Sequence, residues 1–223
     1  MCGRFTLTER DPAALSERFG IRGSDWQLAF KPNYNVAPTH NVAVVTNESE
    51  RQIEFQHWGL IPFWANNMKT GFKMINARSE TLQSSGAFKH AFKRRRCLIL
   101  ADGFYEWKKE NGIRIPMRIG LKNWEPFAFA GLWESWTNRE TNEEIRSCTV
   151  ITCQPNDLIE PIHNRMPVIL PESAEVAWLD SERDPESLQS LLVPFPADFM
   201  DAYAVGSIVN SVKNNGPDCI LTS

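Results

Sequence analysis

The strongest constraint on the fold is a succession of short strand-like runs with few helical segments between them. Such runs are typical of β-strands because they are rich in β-branched and aromatic residues or alternate apolar with polar side chains. Few helices separate them, so we predict an α+β fold in which mainly antiparallel sheets form a barrel-like core with a few surrounding helices. The runs are "NVAVVT", "RQIEFQHW", "CLILADGFYEWKK", "RIPMRIG", "FAFAGLW", "RSCTVITC" and "RMPVIL".

Helices are predicted at four places, and the first has the clearest boundaries. In "DPAALSERFG" (11–20), Asp11 is suited to the N-cap, Pro12 to the first turn and Gly20 to the C-terminal end. The Ala and Phe spacing of "GAFKHAFKRRR" (86–96) is also helical, as are "ESAEVAWLD" and "PESLQSLL". "YAVGSIVN" is predicted as a last strand, and the polar "TNRETNEE" (137–144) as a hairpin connection.

Composition limits the classes of protein that this chain can represent. The 223 residues, 42% of them apolar, suffice for one domain with a substantial core. A net charge of −3 excludes a polybasic surface, so any nucleic-acid binding must use a local patch. No apolar run approaches the roughly 20 residues of a membrane helix, and the N-terminus lacks a signal-peptide pattern. We expect a cytoplasmic protein that binds no membrane and, in a bacterium, associates with the nucleoid.

Cysteine usage singles out the N-terminus. There are five cysteines and no C-x-x-C pair, which argues against a disulfide framework and against a zinc site, so no metal is expected. Cys97, Cys148 and Cys153 lie in apolar runs and are predicted to pack in the core. Cys2, in "MCGRF", is different. Removal of Met1 would leave an α-amine and a thiol on adjacent carbons of this residue.

Two further residues have the chemistry of proton transfer, and for each the pattern leaves two interpretations open. Glu106, between Tyr105 and Trp107, is either a desolvated carboxyl suited to general-acid work or a residue on the exposed face of a strand beside Lys108. His163, in "PIHNRMPVIL", is either a proton-transfer group or an ordinary loop histidine.

The remaining candidates are residues that could contact the phosphates or bases of a nucleic acid. The basic run "KHAFKRRRC" (89–97) fits a solvated helix C-terminus or a phosphate contact. In "WGLIPFWANNMK", Trp64 is suited to stack on a base or sugar, and Trp58 fits core packing at least as well.

Seven blocks of the chain, in order, resemble the SRAP family (SOS response-associated peptidases, also called abasic site processing proteins). They are "MCGRF", "YNVAPT" (34–39), "WGLIP" (58–62), "NARSE" (76–80), "RCLILADGFYEW" (96–107), "GLW" (131–133) and "IHNRMP" (162–167). The ending "NSVKNNGPDCI" (210–220) is also similar. The resemblance therefore covers nearly the whole chain and implies a single SRAP domain over residues 2–223, with Met1 removed.

The resemblance implies a reaction and the residues that carry it out. SRAP proteins bind single-stranded DNA and form a thiazolidine crosslink with abasic sites through the N-terminal cysteine, which shields the lesion during the DNA damage response. By position, Cys2 matches the nucleophile, Asn76 the residue that holds it, Glu106 the acid/base and His163 the second proton-transfer group. Self-removal of Met1 and a lyase side activity also belong to this expectation.

The resemblance implies a DNA-binding set as well. Arg4, Arg78 and Arg165 match positions associated with DNA phosphates, and Pro38 and Trp64 match the wall along which the strand bends.

This chain departs from some members in two places that bear on how it grips the strand. Ala65 stands where some members have a second aromatic residue, and Gly86 where some have a basic one.

Two other classes remain as alternatives. Met-Cys-Gly also begins N-terminal-nucleophile amidotransferases, in which the thiol attacks an amide. A non-catalytic reader of damaged or modified DNA would need Cys2 only as a small residue. The chain lacks the G-x-G-x-x-G, P-loop, G-x-S-x-G and H-E-x-x-H motifs, so nucleotide-dependent chemistry and serine or zinc hydrolysis have no support. We expect a monomer that uses no cofactor and whose partner is single-stranded DNA containing abasic sites.

Overall fold

The computed structural model describes residues 2–48 and 51–223, so the predicted loss of Met1 lies outside the described residues. Strands dominate this part of the chain, as expected. They are β1 (Phe5–Leu7), β2 (Asn33–Val36), β3 (Asn41–Thr46), β4 (Ile53–Trp58), β5 (Asn76–Arg78), β6 (Arg96–Ala101), β7 (Gly103–Glu110), β8 (Ile113–Leu121), β9 (Phe127–Thr137), β10 (Glu144–Cys153), β11 (Met166–Pro167), β12 (Ile169–Leu170) and β13 (Met200–Ala204).

The strands form two sheets, and part of the larger sheet closes on itself. The smaller sheet has the order β13-β8-β7-β1-β2. In the larger sheet the order β10-β4-β3-β6-β9 closes into a ring, because β9 pairs with β10 as well as with β6. All pairings are antiparallel except those of β10 with β4 and with β5. The predicted α+β fold with a barrel-like, mainly antiparallel core is confirmed.

Aromatic side chains join the two sheets. Phe5 of β1 and Phe104 of β7 both contact Phe129 of β9, with ring centroids 5.7 and 6.1 Å apart. Phe5 also lies 5.0 Å from the ring of Trp58 at the end of β4. All four side chains are buried. This contact fixes the start of β1, and with it the N-terminus, against the barrel.

The helices lie outside the sheets, and three of the four match their predictions. Helix α1 (Pro12–Phe19) begins after Asp11, whose carboxylate accepts from the amide of Ala13, and ends at Gly20 with φ of 62°. Helices α3 (Glu172–Leu179) and α4 (Pro185–Ser190) fall within the two late segments. Helix α2 (Lys89–Arg94) is shorter than the predicted 86–96.

The basic run around α2 is not simply a solvated helix terminus. Arg96 is fully buried at the start of β6. Its guanidinium donates to the carbonyls of Phe92 and Lys93 at the end of α2, and to those of Trp178 and Asp180 at the end of α3. One cation therefore satisfies the open C-terminal carbonyls of two helices, where the helix dipole favours positive charge.

Two smaller expectations have different outcomes. The polar loop at 137–144 does connect a hairpin, since Thr137 of β9 pairs with Glu144 of β10. "YAVGSIVN" is not one strand, because β13 ends at Ala204 and Ser207–Asn210 forms a 3₁₀ helix. In the part of the chain that the structure describes, no helix is both long and apolar enough to cross a membrane.

We predict that Arg96→Met lowers the free energy of unfolding by about 3 kcal/mol or more, because buried carbonyls at two helix ends lose their donor. Urea denaturation would measure the loss. The matched control is Arg94→Met, since Arg94 is an exposed neighbour in the same basic run. Equal stability of the two variants would contradict the assignment.

Candidate active site

The predicted catalytic residues meet where the two sheets come together. Cys2 precedes β1 of the smaller sheet, and Asn76 begins β5 of the larger one. The side-chain amide of Asn76 donates to the carbonyl of Cys2 at 2.8 Å, so it ties the N-terminus to the barrel. The Oδ1 atom of Asn76 is buried and has no hydrogen-bond partner among residues 2–48 and 51–223. An acceptor thus remains available beside Cys2.

The thiol of Cys2 is enclosed by protein. The residue is fully buried, and its Sγ lies 3.9 Å from the carbonyl oxygen of Arg4. Burial, together with the nearby Glu106 carboxylate, raises the pKa of the Cys2 thiol well above its usual range. The sulfur is therefore held as a neutral thiol rather than as a thiolate.

Glu106 lies on β7 and is buried, with 4% of its surface exposed. Strand alternation places Glu106 on the face opposite to its neighbours Tyr105 and Trp107. The exposed-face interpretation beside Lys108 is therefore wrong, and the carboxyl is desolvated as the other interpretation requires. Burial raises the pKa of Glu106, against the opposing effect of His163.

His163, in the loop before β11, faces the same carboxyl. Its Nε2 lies 4.0 Å from an oxygen of Glu106. Its Nδ1 lies 3.1 Å from the amide nitrogen and 3.2 Å from the carbonyl oxygen of Arg165. The ring is thus anchored through Nδ1 in either charge state: neutral, it accepts from the amide, and protonated, it donates to the carbonyl. A thiol, a buried carboxyl and an imidazole therefore lie together. These are the groups that nucleophilic chemistry with proton transfer requires.

Strand β10 organises the barrel side of this site. It pairs in parallel with β5 at Asn76–Arg78 and antiparallel with β11 next to the 163–165 loop. Arg165 is 9% exposed, and its guanidinium forms a two-pronged ion pair with Glu80 and donates to the carbonyl of Thr152. The hydrogen bond and charge of Arg165 lower the pKa of Glu80.

The three predicted phosphate-binding arginines differ in how exposed their side chains are and in how many protein groups they already bind. Arg78 is exposed at the end of β5. Arg4 is half-buried, and its Nη1 donates to Asn35 and to the carbonyl of Val209. Of the three, Arg78 has the most accessible guanidinium, whereas those of Arg4 and Arg165 are already engaged with protein groups.

Pro38 and Trp64, predicted to form the wall, both lie on loops. Pro38 is in a turn closed by the hydrogen bond from the His40 amide to the Ala37 carbonyl. Thr39 follows it with φ of 76°, as a type II turn requires after proline. Trp64 is 49% exposed, whereas Trp58 is fully buried and packs in the core.

Of the two departures from the family pattern, only the one at Ala65 has a local explanation. Ala65 is buried in a small cluster with Ile61 and Trp136, and its carbonyl accepts from the Trp136 indole. A second aromatic ring at this position would have to displace that cluster. A Cβ at Gly86, in contrast, would meet open space.

Sequence reasoning missed three residues around the site. Phe72 is half-exposed on the same loop as Trp64, Glu80 pairs with Arg165, and Asn35 holds Arg4. Asn35 and Glu80 lie inside the quoted blocks "YNVAPT" and "NARSE", which were a usable signal. Phe72 had no such signal. No grouping of three or more His, Cys, Asp or Glu side chains able to hold a metal occurs in the described ranges 2–48 and 51–223.

Comparisons with known proteins show the family of this chain. Residues 1–212 match the family model described as SOS response associated peptidase (SRAP). The abasic site processing protein YoqW of Bacillus subtilis (strain 168) is 49% identical over 224 residues, which cover 99% of each chain. The abasic site processing protein HMCES of Xenopus tropicalis is 32% identical, over 99% of this chain and 78% of its own.

A solved structure extends the comparison to the fold. An X-ray structure of a protein from Bacteroides thetaiotaomicron has a TM-score of 0.91 at 25% identity, with both chains fully covered. The chain therefore belongs to the SRAP family.

Burial of Glu106 predicts a specific pH dependence of stability. Because its pKa is raised in the folded state, its contribution to stability is fully present below the pKa of the unfolded chain and is lost as pH rises through the folded pKa. Relative to Glu106→Gln, which cannot ionise, the parent should lose about 1.4 kcal/mol per unit of pKa difference. Urea denaturation over a pH series would measure this, and parallel curves for the two proteins would refute it.

Proposed function

We propose that this protein processes abasic sites in single-stranded DNA by forming a covalent thiazolidine crosslink through Cys2. The observation that supports this most is the placement of Cys2, held by Asn76, beside the buried Glu106 and His163. The names of the relatives, abasic site processing proteins, support the same substrate.

The proposed chemistry needs both nucleophiles of an N-terminal cysteine. The ring-opened abasic sugar carries an aldehyde at C1′. The α-amine of Cys2 attacks that carbon, and loss of one water gives an imine. The thiol then adds across the C=N bond, so that sulfur bonds to C1′ and its proton passes to nitrogen. The product is a five-membered ring, and one water is lost overall.

The ionisation states of the site favour this order of attack. The pKa of an ordinary α-amine is about 8, so a useful fraction is neutral near neutral pH. The thiol stays protonated because burial raises its pKa. The amine is therefore the first nucleophile, and the thiol follows once the imine has formed.

Proton transfer is assigned to the buried pair. Glu106, protonated at higher pH than an exposed carboxyl, donates to the sugar ring oxygen and so promotes ring opening. As a carboxylate it later accepts a proton from the attacking amine. His163, 4.0 Å away, exchanges protons at the imine stage. The unpartnered Oδ1 of Asn76 is suited to accept from the amine and orient it.

Maturation would use the same groups. Attack of the Cys2 thiol on the carbonyl of Met1 moves the acyl group from nitrogen to sulfur and frees the amine. Water then hydrolyses the thioester, which releases methionine and restores the thiol. Glu106 and His163 supply the proton transfers, so self-processing needs no further catalytic group.

The DNA strand is proposed to pass over the exposed aromatic loop. Phe63, Trp64 and Phe72 are 56%, 49% and 52% exposed on the segment between β4 and β5. This segment leads directly into Asn76, and Arg78 is exposed two residues further on. Stacking on aromatic rings and phosphate contacts by arginine bind single strands without sequence preference.

The crosslink would protect the lesion. An imine at C1′ also permits β-elimination, which cleaves the strand and would appear as a lyase side activity. Ring closure by the thiol consumes the imine and competes with that path. The stable product shields the abasic site while the strand awaits repair.

The two alternatives make different demands. An amidotransferase would hydrolyse glutamine. A non-catalytic reader would form no adduct, and its affinity for damaged DNA would be the same in the parent and in the Cys2→Ser variant. The convergence of an acid, an imidazole and an N-terminal thiol favours the crosslinking enzyme over the reader, because a reader needs none of the three.

The test is crosslinking to a single-stranded oligonucleotide with one abasic site. The parent should lack Met1 by intact mass and should give a heat-stable shifted band on a denaturing gel. Cys2→Ser should give no heat-stable band because it lacks the ring-closing thiol. Glu106→Gln should slow formation by about 100-fold, the usual contribution of a general acid.

A matched control is Glu110→Gln, which changes an exposed carboxylate on the same strand and should leave the rate unchanged. A retained Met1, or no adduct under conditions in which the parent binds the DNA, would refute the crosslinking function. A heat-stable adduct formed by Cys2→Ser would show that the thiol is not required and would contradict the thiazolidine.

We further predict that Trp64→Ala and Phe72→Ala each weaken single-stranded DNA binding by about 1 to 3 kcal/mol, the cost of losing one stacked base. Fluorescence anisotropy at fixed salt would measure the affinity. Phe199→Ala is the matched control, because Phe199 is 63% exposed but lies outside this loop. Equal effects of Phe72→Ala and Phe199→Ala would remove Phe72 from the DNA path.

A further inference from the structure

The segment 206–220, here called the C-terminal segment, packs against the strands that carry the reactive groups. It consists mainly of two 3₁₀ helices, Ser207–Asn210 and Pro217–Ile220, with Val209 and Cys219 buried. None of the proposed chemical steps uses a residue of this segment. Its contacts nevertheless reach both Arg4, two residues from Cys2, and the strand of Glu106.

Arg4 is the first link. Its Nη1 donates to the carbonyl of Val209 at 2.8 Å and to Oδ1 of Asn35 at 2.6 Å. Its carbonyl accepts from the amide of Tyr105 at 2.9 Å and lies 3.9 Å from the Cys2 thiol. The side chain of Arg4 is thus fixed at one end while its backbone borders the reactive sulfur.

Asn35 is the central connector. It is fully buried on β2, and its side-chain nitrogen lies 3.2, 3.0 and 2.7 Å from the carbonyl oxygens of Val209, Ser211 and Asn214. Its side-chain oxygen accepts from Arg4. One amide therefore satisfies the backbone of the C-terminal segment and, with its other end, holds the guanidinium of Arg4.

The strand of Glu106 is held in the same way. The single hydroxyl hydrogen of Tyr105 is shared between the carbonyl oxygens of Tyr34 and Cys219, which lie 2.8 and 3.2 Å from the hydroxyl oxygen. The Trp107 indole donates to the side chain of Asn210 at 2.7 Å. Tyr105 and Trp107 flank Glu106 and lie on the opposite face of β7. The C-terminal segment consequently supports β7 from behind the acid.

We propose that Asn35 and the C-terminal segment are positioning elements of the reactive site, which fix Cys2 through Arg4 and fix Glu106 through Tyr105 and Trp107. This inference rests on the proposed function of Cys2 and Glu106. Its consequence is that disturbing these contacts lowers the rate of the chemical step rather than the affinity for DNA. A small displacement of reacting groups is sufficient, since misplacement by about 1 Å can cost a factor of about 100.

The test compares Asn35→Ala with the parent in single-turnover crosslinking at saturating abasic DNA. We expect the rate at saturation to fall by about tenfold or more while the dissociation constant for the DNA stays within about twofold. Asn47→Ala is the control. Asn47 also bridges backbone and side-chain groups, but on the β3–β6 side of the barrel. It should lose stability without losing the rate.

Trp107→Phe serves if Asn35→Ala does not fold. It removes the indole donor to Asn210 and keeps a smaller aromatic ring on β7 beside the Arg4 guanidinium, which lies 5.7 Å from the Trp107 ring. A reduced saturated rate with unchanged affinity supports positioning. An unchanged rate, or a loss confined to DNA affinity, overturns it and makes these residues part of DNA binding or of general stability.

A measurement without DNA separates this inference from the proposed function. The Tyr105 amide bonds to the Arg4 carbonyl, so its hydrogen exchange reports that contact directly. In Asn35→Ala we expect the Tyr105 amide to exchange about tenfold faster, with the amides between β6 and β9 unchanged. Unchanged exchange at Tyr105 overturns the inference. If the parent forms no crosslink, the proposed function is refuted. The exchange rate of the Tyr105 amide then decides by itself whether Asn35 positions the site.

Discussion

The hydrogen bond from Asn76 to the carbonyl of Cys2 joins the two sheets at the point where all the reactive groups meet. Cys2 belongs to the smaller sheet through β1, and Asn76 to the barrel through the parallel pairing of β5 with β10. The buried contacts of Phe5 and Phe104 with Phe129 bring the sheets close enough for this bond to form. The reactive site is therefore a product of sheet packing rather than of any single element.

The same packing explains why a carboxyl is buried beside an imidazole. Glu106 comes from the smaller sheet and His163 from the barrel side, so neither sheet alone could assemble the pair. Desolvation raises the pKa of the Glu106 carboxyl and costs stability whenever the group ionises. In the proposed function this carboxyl acts as a general acid, because a carboxyl that stays protonated at higher pH can donate a proton to a sugar oxygen.

Much of the fold could be predicted from local patterns, and the exceptions have physical causes. Helix α1 was bounded correctly because Asp11, Pro12 and Gly20 act through the local backbone. Helix α2 ends before the predicted residue 96 because Arg96 enters β6 and donates to the end of α3, more than eighty positions away, as well as to the end of α2. Periodicity cannot report such a contact, and it likewise leaves open whether Glu106 is buried or exposed.

The candidate site shows the same division between local and long-range information. The special chemistry of Cys2 follows from its position behind Met1, and the family resemblance assigned Asn76, Glu106 and His163. The partners that hold these residues were not predictable: Asn35 reaches the carbonyls of Val209, Ser211 and Asn214 only in the folded chain. The ion pair of Arg165 with Glu80 also spans 85 positions. It was hidden by the expectation that Arg165 binds phosphate.

The central claim is that Cys2 supplies two nucleophiles to one sugar carbon, and peptide mass spectrometry of the DNA adduct tests it most directly. The account predicts that the modified peptide begins at Cys2, has lost one water relative to its two components and does not change mass with borohydride, because a thiazolidine has no C=N bond to reduce. An adduct on a lysine, or one that borohydride reduces, would identify a simple imine and contradict the account.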